Sequence, residues 1–301
     1  MRPPFGVEST ADDVLGGARL DGKRILITGA STVLEVETIR ALASHGAHVI
    51  GADKDLDKAR GALASVGCAI DLVALDLGSL ASVRGCADTV SAGGEPLDLV
   101  ICNSGLVACP ESRTVDGFER QFAFNHLGHF LLVNRLAPLL RSGSRVVILS
   151  SPAHRFADVD IDDPNFEHTA YDSWVAYGRA STAKILFGVE FDRRYRERGI
   201  RAAVANPGAI RTELSKHVTS EDAPPNWPTE WKTIPQGAAT TVWAGLVADP
   251  EAVGGRYCED CGVAAITDDP EARTGVQRFA IDPERARALW AKSEALVGES
   301  F

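Results

Sequence analysis

An alternation constrains this chain more than any other feature: short apolar runs are separated by stretches with helical spacing, again and again. Arg24–Thr28 (RILIT) reads as a buried strand, and Val33–His45 as a helix ended by Gly46. Ala47–Ala52, Asp71–Leu75, Leu97–Cys102, Arg145–Ser150 and Arg201–Asn206 read as further strands, with a last short one near Gly255–Cys258. Between them Asp55–Val66 (closed by Gly67), Ser79–Ser91, Phe118–Leu140, Ser173–Arg198 and Pro235–Ala248 carry helical spacing. Strands that alternate with helices pair in parallel through right-handed crossovers. Parallel strands buried on both faces are apolar throughout, as RILIT, LDLVIC and RVVILS are. The expected fold is therefore α/β: a Rossmann-type doubly wound parallel sheet of about seven strands with helices on both faces. Residues 1–20 read as an N-terminal arm, in which Thr10–Asp13 resembles a capping box. Residues 21–301 read as a single domain with a C-terminal extension over 255–301.

Charge and cysteine usage narrow the function classes. Asp and Glu number 41 against 31 for Lys and Arg, a formal charge of -10. Such a surface repels nucleic acid and anionic lipid, so neither is an expected partner. The first residues show no apolar signal-peptide core, and no apolar run is long enough to span a bilayer. The six cysteines stand mostly in apolar or helical contexts, which implies a reduced, cytoplasmic protein. Cys258-Glu-Asp-Cys261 is a lone CxxC without a second pair or a nearby His, so no metal is expected.

The first strand runs into Thr28-Gly29-Ala30-Ser31-Thr32-Val33-Leu34-Glu35. A dinucleotide fold places its phosphate loop here, where close backbone approach at a helix N-terminus favours glycine. Only Gly29 is present, and an ordinary strand-to-helix turn would satisfy the same pattern. Further along come Asp53 at the end of strand two, Asp76-Leu77 after strand three and Cys102-Asn103-Ser104-Gly105 after strand four. Asn125-His-Leu-Gly-His, Leu149-Ser-Ser151, Tyr177-Gly and Asn206-Pro207-Gly208 with Thr212 follow in order.

This series resembles the short-chain dehydrogenase/reductase family, closest to its retinol-dehydrogenase-like and WW-domain-oxidoreductase-like branch. The resemblance covers roughly residues 20–215, and the tail more loosely resembles bacterial members. It implies an NAD cofactor, with NADP as the alternative. Gly29, Ser31 and Thr32 would meet the phosphates, Asp53 the ribose hydroxyls, and Asp76 and Leu77 the adenine region. Asn103, Gly105, Pro207, Gly208 and Thr212 complete the implied cofactor positions. Lys54 would favour a 2′-phosphate. Asp53 and Asp76 have a plainer reading too, as caps of the helices that follow them. The resemblance also implies that Ser151 holds the substrate oxygen, Tyr177 transfers the proton, and Asn125 anchors a water relay through its backbone carbonyl.

Three positions depart from the family pattern. The family loop resembles TGxxxGxG, so its later glycines fall at Val33 and Glu35. A carboxylate ~5 Å from phosphate, at an effective dielectric of ~20, repels it by roughly 3 kcal/mol. A Glu35 side chain turned to solvent would avoid most of that. The family's Tyr-x-x-x-Lys ends here in Ser181. Lys184 lies two turns from Tyr177, ~10 Å along the axis on roughly the same face, too far to take over fully without a water or a bend. Without a lysine beside it, Tyr177, whose side chain ordinarily titrates near ~10, stays protonated. It then serves as an acid in reduction better than as a base in oxidation.

Three functions remain open. One is an NAD(P)-dependent oxidoreductase interconverting a secondary alcohol and a ketone. Another is a non-redox isomerase, dehydratase or cyclase on the same scaffold, and the third a catalytically inactive binding protein. The irregular stretch 213–234, with Trp227 and Trp231, reads as a substrate loop with an apolar inner face. It points to a small hydrophobic substrate. The two long helices, which pair subunits in the family, imply a homodimer.

Overall fold

The structure, a computed structural model, describes residues 5–210, 231–269 and 272–301. In chain order its elements are α1 (Ala11–Leu15), β1 (Arg24–Thr28), α2 (Val33–Ser44), β2 (His48–Asp53), α3 (Leu56–Leu63), β3 (Asp71–Ala74), α4 (Leu80–Ser91) and β4 (Leu97–Cys102). Next come α5 (Arg120–Phe122), α6 (Gly128–Leu136), β5 (Leu140–Leu149), α7 (Ser173–Tyr195), β6 (Arg201–Asn206), α8 (Ile234–Val242) and α9 (Pro250–Val253). Four short strands and a helix close the chain: β7 (Tyr257–Glu259), β8 (Gly262–Val263), β9 (Ile266–Thr267), β10 (Val276–Gln277) and α10 (Pro283–Val297).

The main sheet has eight strands in the order β3-β2-β1-β4-β5-β6-β7-β8. The first seven are parallel, and β8 folds back antiparallel on β7. The alternation within each apolar run explains the two helical layers. Leu26, Val100, Val146 and Ile148 point to one face, under α4, α6, α7 and α10. Ile25, Ile27, Leu99, Ile101 and Val147 point to the other, under α1, α2 and α8. Each run buries both of its side-chain sets, as a doubly wound sheet requires.

The differences from the sequence expectation have local causes. The eighth strand comes from a tight hairpin whose turn residues Asp260 and Cys261 both have positive φ (50° and 54°), the geometry of a two-residue hairpin turn. Gly262–Val263 is too short to carry an alternation signal. The stretch 118–140 is not one helix. Glu119 caps α5, its carboxylate accepting from Gln121 N at 2.8 Å and Phe122 N at 2.6 Å. A π-helical turn follows over Ala123–Leu127, and Pro138 sits in the short 3-10 turn that ends the segment. β5 then begins at Leu140, paired with Leu97 across a register shift.

The Thr10–Asp13 capping box is present, with Thr10 Oγ1 accepting from Asp13 N at 3.1 Å. It starts α1, whose Ala11, Val14 and Leu15 are buried in the same core as β1. The long helices α6 and α7 pack largely within the chain. Every residue of α6 except Arg135 is buried, and Trp290 of α10 packs on Phe130 of α6 and on Phe187 and Phe191 of α7. Of the substrate loop 213–234, only 231–234 falls among the described residues.

Candidate active site

β1 has β2 on one side and β4 on the other, so the strand order reverses there. Open α/β sheets bind ligands in the crevice at the carboxyl ends beside such a reversal. Here that crevice is a groove of about 570 Å³. It runs from Asp53, Lys54 and Lys58, past Gly29 and Ser31–Glu35, to Asn103–Val107, Asn125, Tyr177, Ser181 and Lys184.

Backbone geometry builds the loop end. Gly29 has φ +84°, and a Cβ there would stand 2.6 Å from Ser104 Oγ, so only glycine lets the loop lie on the turn after β4. Thr28 Oγ1 joins the two turns, accepting from Asn103 N at 2.9 Å and pairing with His129 Nε2 at 2.9 Å. Asp53 accepts from Ala30 N at 2.8 Å and Asp55 N at 3.0 Å. It therefore anchors the loop and is not the helix cap, which is Asp55, accepting from Lys58 N. Asp76 accepts from Gly78 N at 2.9 Å and pairs with Lys54 at 2.7 Å, while Ser79 caps α4 itself. Leu77 lines the groove and lies against Gly128, where a Cβ would stand 2.5 Å from the Leu77 carbonyl. Ser31 and Thr32 line the groove, and Thr32 makes no side-chain cap bond, so the first amides of α2 lack that partner. This cradle suits a pyrophosphate. Val33 is 41% exposed and lines the groove.

Glu35 does not turn to solvent. It is buried (6% exposed), with Oε1 3.0 Å from where a Gly29 Cβ would stand. Its Oε2 has no hydrogen-bond partner, and neither has Oδ1 of neighbouring Asn103. Burial pushes the carboxyl up to about 7, against smaller opposing effects of its own backbone amide and Asn103. Asp53 raises it further, and Lys184 lowers it.

The other end carries the proton-transfer groups. Ser151 leaves β5 and caps a short 3-10 turn, its Oγ accepting from Ala153 N at 3.1 Å. His154 fixes that turn: its Nδ1 bonds Ser151 O at 2.8 Å and its Nε2 accepts from Gln277 N at 3.2 Å. Tyr177, on α7, is held above the ordinary tyrosine value by burial, which the Ser151 and Ser181 hydroxyls only partly offset. Asn125 sits in the π-turn, a distortion common at functional sites. Its side chain clamps Leu106, accepting from Leu106 N at 2.7 Å and donating to Leu106 O at 2.9 Å. Its backbone carbonyl is already engaged by His129 Nδ1 at 3.0 Å. Ser181 donates to the Tyr177 carbonyl at 2.8 Å.

Lys184 reaches the site after all. Its ammonium donates to Ser104 O at 3.2 Å and lines the same groove as Tyr177. Burial lowers it to about 8, with Cys102 and Glu35 opposing. The turns between Tyr177 and Lys184 are not bridged along the helix axis; the long side chain crosses to the β4 turn instead. Sequence reasoning undervalued this residue. A signal was there: Tyr177, Ser181, Lys184 and Gly188 recur at helical spacing in an otherwise buried stretch, which places a lysine on an inward face.

Of the implied site residues, Gly29, Ser31, Thr32, Asp53, Leu77, Asn103, Gly105, Asn125, Tyr177 and Pro207 line the groove. Ser151, Asp76 and Gly208 are beside it without lining it, and Thr212 lies outside the described residues. Cys258 and Cys261 are buried free thiols around the β7–β8 turn. Among the described residues no helix is long and apolar enough to cross a membrane.

The comparisons agree with this geometry. The family model for short chain dehydrogenase matches residues 23–223. Short-chain dehydrogenase/reductase prx1 of Penicillium roqueforti is 39% identical over 317 residues, covering 99% of this chain and 92% of that protein. The human (Homo sapiens) WW domain-containing oxidoreductase is 33% identical, covering 99% of this chain and 73% of that protein. A crystal structure of a Mycobacterium Paratuberculosis protein superposes with a TM-score of 0.78 at 34% identity, covering 98% and 99% of the two chains. The chain belongs to the short-chain dehydrogenase/reductase superfamily. Within it, the chain falls in the branch of the WW domain-containing oxidoreductases and retinol dehydrogenases. It is an oxidoreductase of that family, whose members generally bind NAD(P).

Proposed function

We propose that this protein is an NAD(P)-dependent oxidoreductase that interconverts a secondary alcohol and a ketone on a small hydrophobic substrate in the cytoplasm. The observation that carries this reading is the continuity of one groove from the N-terminus of α2 to the Tyr177 side chain. A phosphate cradle and a proton donor in one cavity are what coupled hydride and proton transfer need.

The loop amides around Gly29 and Thr32 would hold the pyrophosphate, and Asp53 or Lys54 the adenine ribose. A bound nicotinamide would supply or accept the hydride. Ser151 orients and polarises the substrate oxygen, and Tyr177 donates the proton to that oxygen as it becomes an alcohol. Lys184 keeps a positive charge in the groove, against the turn after β4 rather than beside Tyr177. With Tyr177 held protonated, ketone reduction runs more readily than alcohol oxidation near neutral pH.

The test is a panel of apolar ketones supplied with NADH and with NADPH, followed by loss of the reduced nicotinamide absorbance. Tyr177→Phe and Ser151→Ala are each expected to lower kcat by ~100-fold or more. Undiminished turnover by Tyr177→Phe would remove the proposed mechanism. Turnover of a substrate without any dinucleotide would move the chain to the non-redox reading.

A further inference from the structure

We propose that a dinucleotide enters this groove together with a proton, and that Glu35 is the residue that takes it. The inference rests on the cofactor reading above and concerns how the altered loop works.

Glu35 is the third residue of α2, in a first turn that Thr32 does not cap and whose dipole attracts an anion; its own backbone amide supports its carboxyl. Its side chain points under that cradle, so phosphate and carboxyl would approach each other across Gly29. Burial outweighs what its own backbone amide, Asn103 and Lys184 do for a carboxylate. From β2, Asp53 adds a second negative charge. From β4 and its turn come Cys102, whose thiol burial pushes up to about 12, Asn103 and Ser104. From α6 comes His129, kept neutral by burial and bonded to Thr28. From α7 come Tyr177, protonated, and Lys184, whose ammonium is committed to the Ser104 carbonyl. Lys54 at the rim is paired with Asp76. Among the described residues no cation forms an ion pair with Glu35.

A proton changes this balance. It converts Oε2, a buried acceptor without a partner, into a neutral hydroxyl, while the Asn103 amide still supports the carboxyl. It also removes the charge that would repel phosphate. With the carboxyl of the free protein already balanced at about 7, a nearby phosphate drives it to the neutral form. Binding and protonation are then linked. Below neutral pH Glu35 is protonated with or without cofactor, and affinity does not vary. Above it the free protein must take up a proton to bind, and Kd rises about fivefold over the first pH unit and toward tenfold per unit beyond it, up to ~100-fold in all. The loop that reads as damaged in sequence is competent on the acid side and weakened on the alkaline side.

The experiment is calorimetric titration of the full chain with NADH at about pH 6, 7 and 8, with phosphate and Tris buffers compared at the highest value. NADH comes first because the 2′-phosphate of NADPH titrates in the same range. Staying at or below about pH 8 keeps Lys184 charged for most of the series. The expected result is a Kd that changes by no more than about twofold between pH 6 and 7, and a rise of about fivefold from 7 to 8. Heats should differ between the two buffers by close to one proton taken up. Glu35→Gln keeps the size and the buried polar atoms, so it should bind as the natural chain does at pH 6, with no pH slope and no buffer dependence. A flat Kd in the natural chain, or a slope retained by Glu35→Gln, overturns the proposal and leaves the cofactor reading standing. Failure of both proteins to bind NADH or NADPH at any of these pH values overturns the cofactor reading, and this inference with it.

Discussion

Glu35 also leaves a signature in the ligand-free protein. Its carboxyl ordinarily titrates at 4.5 and stands at about 7 in the fold, chiefly because it is buried. For a group whose value is raised on folding, the stability it supports is fully present below the unfolded value and is lost as pH rises through the folded one. The window here is therefore about 4.5 to 7. Each pH unit across it costs about 1.4 kcal/mol, so the natural chain gives up ~3 kcal/mol by pH 8 but only ~1 kcal/mol at pH 5. At 6% exposure the side chain has little solvent screening to reduce this. Glu35→Gln removes the titration and keeps the shape. Its stability relative to the natural chain should rise by ~2–3 kcal/mol from pH 5 to pH 8, whatever constant offset the amide introduces. Urea unfolding followed by tryptophan fluorescence measures this, because every other titrating group cancels in the difference. A difference constant to within ~0.5 kcal/mol across that range would mean that water or a cation reaches the carboxyl, and the buried-acid account would be wrong.

Other consequences can be checked one residue at a time. Gly128→Ala places a methyl 2.5 Å from the Leu77 carbonyl, a backbone atom, and should cost ~1–3 kcal/mol. A thermal melt unchanged from the natural chain would show that the two segments are not in contact. Asp192→Ala strips the buried Arg201 of bonds at 2.8 and 3.1 Å and Ala202 N of one at 3.0 Å while leaving Arg201 its exposed partner Glu251, and should cost ~2–3 kcal/mol. An unfolding midpoint within experimental error of the natural one would refute it. His129 and His154, lowered to about 3 and about 4 by burial, should show no imidazole titration by NMR between about pH 8 and 5. Because folding lowers their values, the stability they contribute is present above 6.5 and is lost only as pH falls toward those lower values. In the native state a thiol reagent should label exposed Cys68 first and Cys109 more slowly. Cys86, Cys102, Cys258 and Cys261 should react only on unfolding.

What was legible in the sequence follows from how each signal is written. RILIT, LDLVIC and RVVILS give the sheet because a strand buried on both faces must be apolar at every position. The ordered turns that end those strands give the groove, because such sheets bind ligands at their carboxyl ends. The break in 118–140 was less legible: the apolar spacing continues through Asn125, and the π-turn depends on Asn125 clamping Leu106, a tertiary contact. The β7–β8 hairpin was hidden because its turn uses Asp260 and Cys261 at positive φ where glycine or asparagine would announce it. The orientation of Glu35 was undecidable from spacing. On the first turn of a helix, inward and outward differ by one rotamer, and the space beside Gly29 decides between them.

Read along the chain, Val33, Glu35 and Ser181 are three separate losses, two from a phosphate loop and one from a proton-transfer helix. In space the second and third belong to one rearrangement. At its proton-transfer end the groove has Lys184, three residues along α7 from Ser181, where the family pattern has its lysine. It gains one carboxyl, Glu35, on the wall that this lysine now faces, and the two influence each other in opposite senses: Lys184 lowers Glu35 and Glu35 raises Lys184. Moving the ammonium toward the loop takes positive charge away from Tyr177, whose hydroxyl burial therefore keeps protonated. It also sets that charge opposite a buried acid which would otherwise have only Asp53 as a charged neighbour. A site altered this way gives up base strength at Tyr177 and gains a titrating carboxyl under the phosphate cradle. On the proposed function both changes would favour the reductive direction and slightly acidic conditions, because reduction would consume a proton that Tyr177 is held ready to give and Glu35 would repel phosphate only once its own proton is lost.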